Sequence, residues 1–145
     1  MSISFMAEEV VKPRLPYKML KAWIKDLCAY FGYSPGDLTY IFCSDIYLKD
    51  INFKFLNHDY FTDIVTFDYS SNKVLSGDMF ISMDRVKDNS DFFKATLTDE
   101  YCRVIVHGLL HLLGYNDRTE EEKVVMRDLE DDCILRYKKL ADENT

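Results

Sequence analysis

Apolar residues fall into a succession of periods along the chain, and each change of period marks a new element. Ile3 and Phe5 predict a short first strand, and Leu20, Trp23, Ile24, Leu27, Cys28 and Phe31 then recur at helical spacing until Gly32 stops them. Leu38 to Cys43, rich in aromatic and β-branched residues, predicts a second strand. Ser44 and Asp45 can cap a helix that turns Tyr47, Leu48, Ile51, Phe55 and Leu56 inward. Asp63 to Tyr69 and Asp78 to Met83 predict two further strands, joined through the polar stretch from Ser70 to Gly77. After Asp84 a short helix around Val86 precedes a longer one from Thr98, its cap, to Leu113. The last helix opens on a capping box, Thr119 with Glu122 three residues on, and runs towards Leu140 with Val125, Met126, Leu129, Cys133 and Tyr137 inward. The sum is an α+β fold, a small four-stranded mixed sheet packed with about five helices.

No repeat, low-complexity stretch or linker interrupts this order, so residues 1–145 read as one domain. A hydrophobic content of 48% over 145 residues suits a single sizeable core. Neither a long uncharged apolar run nor the pattern of a secretory signal is present, which predicts a cytoplasmic protein without a membrane span. Cys28, Cys43, Cys102 and Cys133 are too scattered for a zinc knuckle or redox pair and read as reduced core thiols. The formal charge of -7 argues against a protein that coats nucleic acid nonspecifically. Lys12, Arg14, Lys18, Lys21 and Lys25 nevertheless cluster near the N-terminus, either as a solvated helix face or as a patch that steers phosphates.

The chemistry concentrates in the run from His107 to Asp117. Two imidazoles four residues apart, His107 and His111, lie one above the other on a helix face and can reach one ion. Gly114 supplies the left-handed residue that ends a helix, so the chain can double back and present Asp117 to that same ion. Nitrogen, nitrogen and oxygen around one open position is the donor set of a catalytic zinc, one ion per chain. The plain alternative is a pair of core histidines satisfied by backbone or carboxylates. Three facts favour the metal. Of only three histidines in the chain, two fall in this one turn. Gly108 weakens the helix by about 1 kcal/mol relative to alanine, which implies close approach or open space beside His107. The acid arrives directly after the helix-ending glycine.

The run from His107 to Asp117 resembles the signature of the YbeY family of bacterial endoribonucleases. Further blocks match in the same order: Leu56-Asn57, Tyr60, Thr62 to Phe67, Gly77 to Ser82, and Met126, Leu129 and Glu130. The resemblance covers about residue 38 to the end. It implies a zincin-like metal helix, cleavage of single-stranded RNA, maturation of the 16S rRNA 3′ end, ribosome quality control and a cytoplasmic location. His107 and His111 match the family's first two metal ligands, and Asp117 stands where the third is usually histidine. A carboxylate still coordinates zinc, but its charge makes the site less electrophilic than three imidazoles. In the family an arginine thought to meet the RNA phosphate follows the tyrosine matched by Tyr60. Phe61 stands here instead, within a shortened loop. Arg103, one turn before His107, and Arg85 are the substitutes that the sequence offers, each equally readable as an ion-pair residue.

The implied chemistry is hydrolysis of a phosphodiester by a water whose pKa the ion lowers towards about 7. Asp63 and Asp78, at strand ends, read either as acceptors for the imidazole N–H groups or as capping and turn residues. His58, in a polar Asn-His-Asp stretch, reads as an exposed loop residue. Two rivals remain. A metzincin-like peptidase would carry a glutamate beside the first histidine as general base, where Gly108 stands. A metal-stabilised ribosome- or RNA-binding factor without turnover would fit the missing arginine and the acidic balance.

Overall fold

The computed structural model describes residues 2–143. β1 (Ile3–Ala7), β2 (Ser34–Cys43), β3 (Ile64–Asp68) and β4 (Val74–Ser82) form one sheet in the order β1-β2-β4-β3. β1 pairs parallel to β2 and β2 parallel to β4, whereas β3 returns antiparallel to β4, so the sheet is mixed. The helices are α1 (Tyr17–Tyr30), α2 (Asp45–Leu56), α3 (Met83–Phe92), α4 (Leu97–Leu112) and α5 (Glu120–Glu143). The α+β architecture of four strands and five helices follows the expectation from hydrophobic period.

Alternation along the strands decides what each face meets. Leu38, Tyr40 and Phe42 of β2 join Leu75, Met79 and Ile81 of β4 in the main core, against the apolar stripes of α1, α4 and α5. Trp23 ties α1 to α5 there by donating to the Cys133 carbonyl at 2.8 Å. Cys43 points the other way and with Leu48 and Val65 makes a smaller cluster under α2. All four cysteines are buried and unpaired.

Several boundaries and faces depart from the sequence reading. β2 begins at Ser34, because a register shift between Pro35 and Leu38 lets proline enter an inner strand. The β3–β4 connection is a tight turn at Asn72 and Lys73, both left-handed (φ 50° and 64°), so Gly77 lies inside β4 rather than at its approach. Thr96, not Thr98, caps α4 by accepting from the Asp99 N–H at 3.1 Å. The Thr119–Glu122 capping box forms as read, with reciprocal bonds of 2.9 and 3.1 Å. Phe55 and Leu56 are exposed, not inward: the last turn of α2 overhangs edge strand β3, where Phe55 meets the Phe67 ring edge to face. Val125 is exposed as well, since the inward stripe of α5 runs through Met126, Glu130, Cys133, Ile134 and Tyr137.

Candidate metal centre

α4 is buried along most of its surface by Val104, Ile105, Val106, Leu109, Leu110 and Leu112. Gly108 explains its closeness to the sheet. A Cβ there would stand 2.7 Å from Ile64 Cδ1 and 3.2 Å from Met79 Sδ, so the helix lies directly on β3 and β4. His107 and His111 flank this contact and emerge, half-buried, at the margin of the sheet.

The helix ends in a Schellman motif: Tyr115 N–H donates to the Leu110 carbonyl at 3.1 Å and Gly114 N–H to the His111 carbonyl at 3.0 Å. Gly114 takes φ 101°, which an L side chain rarely adopts. The reversal brings Asp117 back over the histidines. Nε2 of His111 lies 3.0 Å from Nε2 of His107, and Asp117 Oδ2 lies 3.3 Å from the latter and 3.7 Å from the former. Ligands bound tetrahedrally at 2.0–2.1 Å would stand about 3.3–3.4 Å apart. The three atoms have the spacing of one face of such a tetrahedron.

Hydrogen bonding fixes what those atoms offer. His107 Nδ1–H donates to Glu130 Oε2 at 2.7 Å, the tautomer that leaves a lone pair on Nε2. The Tyr115 backbone accepts from the His111 ring, which turns a second lone pair towards the first. Two lone pairs and a carboxylate oxygen facing one point repel unless a cation lies among them, so the residues fit a divalent metal. Burial alone would push the His107 pKa down; the Glu130 carboxylate, with Asp63 and Asp117, outweighs it and raises the net value. Burial and the neighbouring His107 lower that of His111.

The other residues singled out from the sequence separate. Asp63 packs near His107, its pKa raised by burial against the opposing pull of that ring. Its carboxylate also accepts from its own backbone and that of Ile64, so it caps the start of β3. Asp78 does not serve the imidazoles. One residue from Met79, it faces away from α4 and accepts from the Tyr69 hydroxyl at 3.4 Å. The acceptor is Glu130, 5% exposed on the inward stripe of α5. In the sequence it stands out as an acid among apolar positions and within the matched Met126, Leu129 and Glu130 block, neither of which assigns it to His107. Arg103 clamps this carboxylate from the other side, donating to Glu130 at 2.8 Å and to Asp131 at 2.7 Å. Arg85 donates to Asp45 at 3.1 Å and lies 5.0 Å from the centre of the Phe61 ring. Both arginines are thus engaged in ion pairs.

The three converging groups open on a basin of about 340 Å³, walled by β3 and the segment from Asn57 to Asp63. His58 and Tyr60 line it, and no lysine or arginine does among the described residues.

Comparison with known proteins matches this architecture. The family model described as Endoribonuclease YbeY covers residues 5–138. A Parabacteroides distasonis protein of that name is 41% identical over 134 residues, spanning 92% of this chain and 94% of its own. Its Cytophaga hutchinsonii namesake is 51% identical over 113 residues, 77% of this chain and 79% of its own. The solution structure of TM1509 from Thermotoga maritima superposes with a TM-score of 0.63 at 20% identity, over 99% of this chain and 97% of that one, and shares the fold. With the family model spanning most of its length and relatives about 40% identical over nine-tenths of it, the chain belongs to the YbeY endoribonuclease family.

Proposed function

We propose that residues 1–145 form one metal-dependent endoribonuclease domain. It cleaves single-stranded RNA and acts in the cytoplasm on ribosomes, in 16S rRNA 3′-end maturation and quality control. The observation that carries this reading is the triangle of His107 Nε2, His111 Nε2 and Asp117 Oδ2 at 3.0, 3.3 and 3.7 Å, facing an open basin. Its donor set suits one Zn2+. When bound, such an ion supplies Lewis acidity and an activated water at neutral pH.

The chain's own residues do the rest. Glu130 holds His107 in the tautomer that points Nε2 into the basin, and Arg103 holds Glu130. The Gly114 reversal brings Asp117 Oδ2 within 3.3 Å of the His107 ring and 3.7 Å of the His111 ring. Gly108 removes the carboxylate that a peptidase would station beside His107, which leaves peptide hydrolysis without its general base. Among the described residues no arginine lines the basin in place of the one missing after Tyr60, so the chain brings no guanidinium to the phosphate.

Elemental analysis and single-turnover cleavage of a labelled single-stranded RNA test the proposal together. Wild type should contain one zinc per chain and cut; His111→Ala should lose metal and fall to background. Equal residual cleavage by both proteins would assign the activity to a contaminant and leave a binding factor without turnover.

A further inference from the structure

A basin without lysine or arginine on its walls poses a question of grip, because proteins ordinarily hold RNA by its phosphates. Stacking is the alternative that needs no cation. His58 and Tyr60 supply the aromatic surface: their rings stack at 5.3 Å between centroids with 20° between planes, beside the three converging groups. Tyr60 is nevertheless 53% exposed, so the stacked pair is open to solvent.

The segment carrying this pair is tied down from several directions. Asn57 takes a left-handed turn (φ 57°) that closes α2, and His58 N–H donates to the Asn52 carbonyl at 3.2 Å. The Asn52 side chain, only 2% exposed, donates to the Tyr60 carbonyl at 3.3 Å. On the far side Phe61 packs under two cations, Lys49 at 4.5 Å and Arg85 at 5.0 Å from its ring centre. A backbone held by a buried amide and a neighbouring ring held by two cations present Tyr60 in one place. A preset ring loses little freedom when a base lands on it.

We infer that the stacked His58–Tyr60 pair is a platform for one unpaired base of the RNA substrate, and that it sets which phosphate reaches the metal-binding groups. This rests on the endoribonuclease reading above. Only a base already out of a helix can lie on the ring, so the platform also selects single strands. Stacking is tolerant of base identity, which predicts a fixed distance between the seated base and the cut rather than a sequence motif.

The test uses zinc-loaded full-length protein and a 2′-O-methyl hexanucleotide carrying the fluorescent base 2-aminopurine at each position in turn. One position should be quenched on binding to wild type and to Tyr60→Phe, but not to Tyr60→Leu, whose affinity should fall on the order of tenfold. The phenylalanine variant loses the hydroxyl that lies 3.1 Å from His58 Nδ1 and keeps the ring, so it separates stacking from loop support. An abasic nucleotide at the quenched position should weaken wild type by the same factor and leave Tyr60→Leu unchanged. Wild type that binds every abasic oligonucleotide as tightly as the parent overturns the platform, as does Tyr60→Leu that still binds and quenches fully. The nuclease reading fails separately: quenching by a wild type that leaves natural single-stranded RNA intact keeps the platform and removes the cleavage.

Discussion

Glu130 serves two donors at once, His107 at 2.7 Å and Arg103 at 2.8 Å, from a position almost sealed from solvent. Glu130→Gln keeps the shape and removes the charge, so metal affinity should fall about 10–100-fold in competition with a chromogenic chelator. Undiminished affinity would mean that the ring is oriented by packing alone. Tyr40 is the opposite kind of residue: its hydroxyl is buried in the core with no hydrogen-bond partner among the described residues, and burial pushes its pKa far up. Tyr40→Phe should leave stability unchanged or raise it by up to about 1 kcal/mol in urea denaturation, since no bond is lost and a desolvated hydroxyl is removed. At this scale the sequence displays what is local. His107, His111 and Asp117 fall within one helix end and its turn, whereas the partner of His107 arrives from α5, 23 residues on, by a docking that no spacing rule encodes.

Gly77 shows how tightly the elements nest. A Cβ on it would stand 2.6 Å from the Phe67 carbonyl oxygen of β3 and 3.2 Å from Leu112 Cδ2 of α4. The first neighbour is backbone and cannot rotate away, so Gly77→Ala should cost about 1–3 kcal/mol and lower the melting temperature. A variant as stable as wild type would show that β3 can shift outward. Helix caps built from Ser44 and from Thr119 with Glu122 are legible in the chain, because each is a contact over three residues. The cap of α4 is misplaced by two because threonines at 96 and 98 are equally suited locally. Asp78 keeps two readings in the sequence for a related reason: strand parity assigns its face, and parity is known only once the register against β2 and β3 is set.

The whole molecule encloses its reactive sulfur. Burial pushes the thiol of Cys28 up to about 11 and those of Cys43, Cys102 and Cys133 to about 12. A raised thiol pKa leaves the neutral, unreactive form in excess at pH 8, so iodoacetamide should label none of the four in the native protein and all of them in denaturant. The acidic balance of -7 and the basin without basic walls set a second expectation. Affinity for a short single strand should change only about threefold between 50 and 200 mM salt, the response to roughly one neutralised phosphate. A much steeper loss would place the strand on the N-terminal lysines instead.

The Schellman turn at Gly114 has a thermodynamic corollary. Its backbone bonds already hold residues 109–115 in a reversal, so most of the turn that carries Asp117 back towards His107 and His111 is built before an ion arrives. Little loop-closure entropy is left for a metal to oppose. Unlike a zinc finger, which unravels when stripped, this protein should stay folded through chelation and take up its ion again without refolding.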